Sequence, residues 1–150
     1  MPNGGKRSCV AADASAFVLD GFALLAYLEG EAGKPIVQAL LAGAEAGTHT
    51  VYLSLINLGE ALYIIERERG LAPAQRALAA VDQLPVKIVP VSRATVLAAE
   101  HLKARFPIAY ADAFAIVAAR DHSATVVTGD REFEPVSKAG LVNVQWLSRR

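Results

Sequence analysis

The sequence predicts an α/β fold in which a mostly parallel central sheet is covered by helices on both faces, giving three layers (α/β/α). Short runs rich in β-branched residues alternate with longer stretches whose apolar residues recur at helical spacing, a pattern typical of parallel sheets. The chain has 150 residues, of which 53% are hydrophobic, so it can enclose one core. We therefore expect a single domain over residues 15–150, preceded by a mobile polar lead at residues 1–14.

Two strands and four helices are predicted in the first half of the chain. Pro35 suits the first turn of a helix, because a first turn leaves its N–H groups unpaired in any case. Ser54 belongs to the residue types that cap helices through a side-chain oxygen, and apolar residues recur at helical spacing after it. The predicted strands are residues 17–19 and 49–53, and the predicted helices are 21–29, 35–46, 55–70 and 73–83.

Three strands and three helices are predicted in the second half. Ser92 is a second helix-capping residue, and Pro107 ends the helix that follows it, because proline cannot continue the backbone hydrogen bonding of a helix. The predicted strands are residues 86–89, 124–127 and 141–144, and the predicted helices are 93–105, 110–121 and 132–138.

Four acidic residues lie in apolar surroundings. Asp20 and Asp130 follow the first and fourth predicted strands, whereas Glu60 and Asp112 lie within apolar helical stretches. No Lys or Arg lies within three residues of Asp20, Glu60 or Asp112. Because ionised carboxylates are almost never fully buried without a partner, the partner that we expect is a metal cation.

Each of these acids also has a purely structural interpretation when it is taken alone. Asp20 could cap the helix that follows it, and Asp112 could be a first-turn acid favoured by the helix dipole. Asp130 could be an ordinary turn residue. Glu60 lies in the middle of a predicted helix, where the alternative is a position on the protein surface. The metal interpretation depends on all four converging.

Convergence of carboxylates favours a hard divalent cation. Two unpaired carboxylates about 4 Å apart repel by about 4 kcal/mol at an effective dielectric near 20. Mg²⁺ or Mn²⁺ would replace this repulsion by ligation, since both ions take oxygen ligands. Such an ion makes a bound water easier to deprotonate and neutralises charge on a phosphoryl group. The acidic cluster is therefore suited to phosphodiester hydrolysis.

Charge and cysteine content narrow the function class. Fifteen basic and fifteen acidic residues cancel, which argues against coating nucleic acid by bulk charge but leaves room for a local basic groove. The single Cys9 cannot form an internal disulfide, as is usual in a reducing compartment, so we expect a cytoplasmic protein. Lys6 and Arg7 precede an apolar stretch, but Asp13 and Asp20 interrupt it, and no apolar run reaches membrane-spanning length.

Four segments surround the four acids: FVLD at 17–20 with ALLAYL at 23–28, SLINLGE at 54–60, YADAF at 110–114, and VVTGDREF at 126–133. These segments resemble the PIN-domain family, and most closely the VapC-type toxin ribonucleases. They occur in the order typical of the family and span about residues 17–145.

This resemblance implies a three-layer α/β/α fold and a Mg²⁺- or Mn²⁺-dependent endoribonuclease, the toxin of a type II toxin–antitoxin system. It also implies homodimerisation, a cognate antitoxin that blocks the acidic pocket, and attack of water on the scissile phosphorus with expulsion of the 3′ oxygen. The helices at 21–46 are candidates for the protein contacts. Carried over, the catalytic and metal-binding residues are Asp20, Glu60, Asp112 and Asp130, with Thr128 as a supporting hydroxyl.

Four further residues are candidates for RNA contacts. Arg131 adjoins Asp130 and could reach a phosphate, or it could be an exposed turn residue. Lys103 and Arg105 end a predicted helix and could line an RNA path, or they could be solvated. Tyr110 could stack on a base, or it could pack against the protein.

One departure from the family pattern keeps an alternative open. The family usually has Thr or Ser directly after the first aspartate, whereas this chain has Gly21 and Phe22. A catalytically weak or inactive PIN-like module that binds RNA or a protein partner is therefore the second hypothesis. A phosphoryl-transfer enzyme with an aspartyl nucleophile is disfavoured, because Phe22 stands where a dehalogenase-like site needs a second aspartate, and Pro90 where a receiver domain needs its aspartate.

Overall fold

The computed structural model describes residues 15–148, so the lead predicted at 1–14 lies outside the described residues. Within them, strands and helices alternate as the sequence predicts. The strands are β1 (Ala16–Leu19), β2 (Thr50–Ser54), β3 (Val86–Val89), β4 (Thr125–Thr128) and β5 (Val144–Trp146). The helices are α1 (Gly21–Glu29), α2 (Lys34–Glu45), α3 (Leu55–Arg69), α4 (Leu71–Asp82), α5 (Arg93–Arg105), α6 (Tyr110–Asp121) and α7 (Glu134–Lys138), with a 3₁₀ turn at Arg131–Phe133.

The five strands form one parallel sheet in the order β3-β2-β1-β4-β5. Because side chains alternate along a strand, Val18 and Val126 pack towards α5, α6 and α7, whereas Leu19 and Val127 pack towards α1 to α4. The sheet thus has an apolar core on each face. The predicted three-layer α/β/α architecture is confirmed.

The central position of β1 places the first and fourth strand ends side by side. Leu19 of β1 is paired in register with Val127 of β4. Asp20 and Thr128 directly follow these two residues, so both lie at the carboxyl edge of the sheet. Ligands of open parallel sheets bind at this edge.

The helix starts follow the predicted capping residues closely. Ser54 Oγ accepts a hydrogen bond from Ile56 N at 3.2 Å, and Ser92 Oγ accepts one from Thr95 N at 3.1 Å. Pro73 does not open its helix as predicted, since α4 begins two residues earlier; a proline still fits there because the first turn has no intrahelical N–H partners. Among the described helices, none has the length and apolarity that crossing a membrane requires.

The last strand lies later than predicted. Residues 141–144 were expected to form it, but β5 comprises Val144–Trp146, and Leu141 and Val142 pack against the core from the preceding loop. Gly140, two residues after the end of α7, has a left-handed backbone (φ 76°). The apolar run therefore indicated burial correctly but not the strand, which is set by pairing with β4.

Candidate functional site

Asp20 is buried at the carboxyl end of β1, with 1% of its surface exposed. Its Oδ1 accepts a hydrogen bond from Ala23 N at 2.8 Å and so caps α1. Its Oδ2 accepts a hydrogen bond from Thr128 Oγ1 at 2.5 Å. The helix-capping role considered for Asp20 is therefore real, and it uses one of the two carboxylate oxygens.

Thr128 links the two strand ends through its hydroxyl. The side chain is fully buried; Oγ1 donates to Asp20 and accepts from Asp130 N at 2.9 Å. Asp130 then caps the 3₁₀ turn, since its Oδ1 accepts from Glu132 N at 2.9 Å. One hydroxyl thus fixes the backbone of Asp130 relative to the carboxylate of Asp20.

Asp112 enters the same region from the first turn of α6, with 6% of its surface exposed. Two hydrogen bonds hold that end of the helix in place. Asn57 Nδ2 on α3 donates to Ala111 O at 3.1 Å, and Ala109 N donates to Glu132 Oε1 at 2.8 Å. Asp112 is therefore both a first-turn acid, which the helix dipole favours, and a buried acid that points inward.

Glu60 comes from the middle of α3 and is partly buried. Its carboxylate lies against the backbone of Gly21, at the first residue of α1. A Cβ atom added to Gly21 would overlap Glu60 Oε1 and lie 3.3 Å from its Cδ. Glu60 therefore points towards the end of β1 that carries Asp20, and not into open solvent.

Burial and mutual repulsion raise the pKa values of three of these acids. Burial, reinforced by the charges of Asp130 and Glu60, raises the pKa of Asp20 to about 7, although the hydrogen bonds from Thr128 and Ala23 oppose this. The pKa values of Glu60 and Asp112 are raised as well, again first by burial and then by the neighbouring carboxylates. The acids predicted from sequence thus share one region of negative potential.

Glu132 is a site candidate that sequence reasoning missed. One oxygen each from Asp112, Asp130 and Glu132 lie within 4.8 Å of one another, close enough to share a cation. Glu132 is exposed and sits in a charged stretch, so it lacked the apolar surroundings that singled out the other acids. The sequence feature that could have identified Glu132 is its position two residues after Asp130, because a turn capped by Asp130 brings residue 132 close to the Asp130 side chain.

The donor set fits Mg²⁺ or Mn²⁺. Every candidate ligand is a carboxylate oxygen, the donor that these hard cations prefer. Asn57 Oδ1, next to this cluster, is buried and finds no hydrogen-bond partner among the described residues. Burial, and after it the neighbouring carboxylates, raise the pKa values of Asp20 and Asp112, so ionising these acids is unfavourable without a positive partner. A divalent cation would be such a partner.

The four candidates for RNA contacts already have contacts within the protein. The Arg131 guanidinium lies 4.7 Å from the centre of the Trp146 ring and 3.3 Å from a Glu134 oxygen. Lys103 Nζ donates to a backbone carbonyl at 2.8 Å. Arg105 lies over the ring of the residue that follows it, and the exposed Tyr110 makes an edge contact with the ring of the residue four positions later.

The raised pKa of Asp20 predicts how the stability of the metal-free protein depends on pH. The folded protein holds this proton up to pH about 7, whereas the unfolded chain releases it near 4, so the folded state binds more protons in between. The free energy of unfolding should therefore fall as pH rises through this window, by on the order of 4 kcal/mol from Asp20 alone. Urea unfolding between pH 4 and pH 8 measures this change in the free energy of unfolding.

Asp20→Asn is the control for that titration, because asparagine cannot ionise and keeps the shape of the side chain. We expect a shallower pH dependence in this variant than in the wild type. Equal slopes for the two proteins would show that folding does not raise the pKa of Asp20.

Comparison with known proteins agrees with this architecture. The PIN domain family model matches residues 17–139. VapBC2 from Rickettsia felis bound to a promoter DNA fragment superposes with a TM-score of 0.69 at 16% identity, covering 89% of this chain and 99% of that chain. VapC20 from Mycobacterium tuberculosis, a sarcin-ricin loop cleaving toxin, superposes with a TM-score of 0.66 at 19% identity, covering 80% and 94%.

A third solved structure, the DNA-bound VapBC from Salmonella typhimurium, has a TM-score of 0.66 at 20% identity and covers 87% of this chain and 97% of that chain. A comparison with curated protein sequences finds no match. At these identities the structural likeness concerns the fold, whereas the family model covers most of the chain. This chain, with its parallel sheet and its acids at the ends of β1 and β4, belongs to the PIN domain family.

Proposed function

We propose that this protein is a Mg²⁺- or Mn²⁺-dependent endoribonuclease that hydrolyses RNA phosphodiester bonds, the toxin of a type II toxin–antitoxin system. The observation that carries the proposal is the gathering of acids from four parts of the chain at one edge of the sheet. Burial and mutual repulsion raise the pKa values of three of them, Asp20, Glu60 and Asp112. A site that only stabilised the fold would gain nothing from this repulsion.

Some residues of the proposed site would bind the ion, and Thr128 orients one of the carboxylates. Asp112, Asp130 and Glu132 would hold a divalent ion, with Asp20 and Glu60 completing the site or holding a second ion. The ion supplies positive charge to the phosphoryl oxygens and makes a coordinated water easier to deprotonate. Thr128 fixes the orientation of Asp20 through its hydroxyl. Burial of Asp20 and Asp112 keeps charge on these two carboxylates weakly screened, which strengthens their hold on a cation.

The proposal extends to partners. Arg131, Lys103, Arg105 and Tyr110 remain candidates for RNA contacts; Tyr110 is 44% exposed, two residues before Asp112. We expect a cytoplasmic homodimer that a cognate antitoxin inhibits. The relatives in VapBC structures support an antitoxin partner through their shared fold. Apolar side chains on α1 and α2, such as the exposed Ile36 of α2, are candidates for these protein contacts.

The test is cleavage of total RNA by purified protein with Mg²⁺ or Mn²⁺, followed by mapping of the new ends. We expect discrete cuts that require the ion and that disappear in Asp20→Asn, since the neutral amide removes a charge from the site. Cuts that persist unchanged in this variant would point to a contaminating nuclease.

No Thr or Ser follows Asp20, so the second candidate function is a catalytically weak or inactive module that binds RNA or a protein partner. In that case the acids need not bind an ion. Thermal melting during a Mn²⁺ titration separates the two, because an ion that binds only the folded state raises the melting temperature with its concentration. A melting temperature that is indifferent to Mn²⁺ would favour the module that binds without cutting.

A further inference from the structure

Gly21 stands where the backbone does not require a glycine. It is the buried first residue of α1, and its φ is not among the positive values, which within the described residues occur at four other glycines and at Ser123. An alanine there would be compatible with the helix. What distinguishes this position is the space around the Cα atom.

That space is occupied by the carboxylate of Glu60. A Cβ atom on Gly21 would overlap Glu60 Oε1, whereas a Cβ on Gly59, one residue before Glu60, would meet nothing within 4 Å. Only the first of these two glycines leaves room for an acidic side chain. The contact joins the start of α1 to the middle of α3.

Phe22, the residue after Gly21, also packs against a glycine, Gly129. A Cβ on Gly129 would overlap the ring of Phe22 and lie 3.1 Å from Leu147 O, so the ring packs against the backbone between Thr128 and Asp130. Gly21 and Phe22, which follow Asp20 where the family usually begins with Thr or Ser, thus each have a specific packing contact at the site.

We propose that Gly21 is a positioning residue for the proposed reaction: it keeps open the place above the first turn of α1 that the Glu60 carboxylate must occupy to join the acidic cluster. In this chain the glutamate carboxylate takes the volume that a hydroxyl side chain after the first aspartate would fill. The expected effect on RNA cleavage rests on the proposed function. The placement of the Glu60 carboxylate rests only on its contact with Gly21.

A methyl group at Gly21 should move Glu60 and leave the fold intact. The overlapping atom is the far end of a flexible side chain, so rotation of Glu60 relieves the overlap at little cost. The α3 backbone is less free to shift, because Asn57 ties it to Ala111 of α6. The expected response is therefore a carboxylate turned away from the cluster on an unchanged backbone.

The experiment compares Gly21→Ala with Gly59→Ala, the same substitution on the exposed side of α3. Apparent Mn²⁺ affinity is read from the rise in melting temperature with ion concentration, alongside RNA cleavage. We expect Gly21→Ala to weaken Mn²⁺ binding by about tenfold or more, as is usual for residues that orient metal ligands, and Gly59→Ala to match the wild type. Gly21→Ser should behave like Gly21→Ala, although it restores the hydroxyl common in the family.

A double mutant tests whether the effect passes through Glu60. If Gly21 acts by placing that carboxylate, Gly21→Ala should change nothing further once Glu60→Ala is present. Additive losses of Mn²⁺ affinity would overturn the inference, as would an affinity in Gly21→Ala equal to that of the wild type.

A crystal structure of metal-free Gly21→Ala gives a readout that needs no ion. We expect the Glu60 carboxylate to leave the place above α1, and finding it still there would overturn the inference. If the wild type ignores Mn²⁺ while Glu60 moves in this variant, the proposed nuclease function fails and the positioning contact stands. The two failures are thus distinguishable.

Discussion

Asp112→Asn should lower Mn²⁺-dependent RNA cleavage by more than about 100-fold and should also abolish the rise in melting temperature with Mn²⁺. Loss of a residue that merely orients a metal ligand typically costs 10- to 100-fold, so loss of a ligand charge should cost at least as much. Asp112 is buried, and burial and four neighbouring acids raise its pKa, so in the metal-free site it holds a proton at neutral pH that a bound cation would replace.

The same substitution should stabilise the metal-free protein above neutral pH. In the wild type, ionising Asp112 at high pH places a charge among like charges, and an amide of the same size avoids that cost. Opposite effects on metal-free stability and on activity are a signature of a functional acid, because a structural acid would lose stability when neutralised. Melting curves at pH 8 without ions, and cleavage with Mn²⁺, measure the two effects.

Asp121→Asn is the matched control for this experiment. Asp121 is an exposed acid at the far end of the same helix, where a negative charge is slightly unfavourable. We expect it to keep wild-type cleavage and a nearly unchanged melting temperature. If Asp112→Asn cleaves as well as this control, Asp112 is not part of the active site.

Thr128→Val should destabilise the protein by about 2–4 kcal/mol and lower the melting temperature by roughly 5–15 °C. Valine keeps the shape and suits a strand, but it removes the hydroxyl that donates to Asp20 and accepts from Asp130 N. The buried Asp20 carboxyl and the partly buried Asp130 N are then left without this partner, and a buried group without its partner costs about 1–3 kcal/mol. Urea unfolding and thermal melting measure the loss.

The control is Thr125→Val at the opposite end of β4. The Thr125 side chain makes no hydrogen bond within the described residues and is partly exposed, so we expect a change in stability within about 0.5 kcal/mol. Cleavage should fall in Thr128→Val and persist in Thr125→Val, because only the former loses the orientation of Asp20. Equal stability of the two variants would mean that the hydroxyl of Thr128 contributes no net hydrogen bonding.

Local sequence was sufficient for the number and order of the helices and strands and for most of the acidic residues. Apolar periodicity and the caps Ser54 and Ser92 determine where helices begin, because capping is satisfied within a few residues of the chain. Carboxylates set in apolar runs indicated inward-pointing acids because burial of an unpaired charge is costly. Residue type and immediate neighbours contain all of this information.

The tertiary structure decided which groups meet. The order β3-β2-β1-β4-β5 brings Asp20 beside Thr128, and no local pattern specifies that pairing. Glu132 joins Asp112 only because the turn after β4 lies against the start of α6, and β5 is placed by its pairing with β4 and not by the apolar residues before it. The glycine at position 21 is understandable only once Glu60 is seen lying against it. Contacts between residues far apart in the chain depend on how whole elements pack, which short-range patterns in the sequence do not determine.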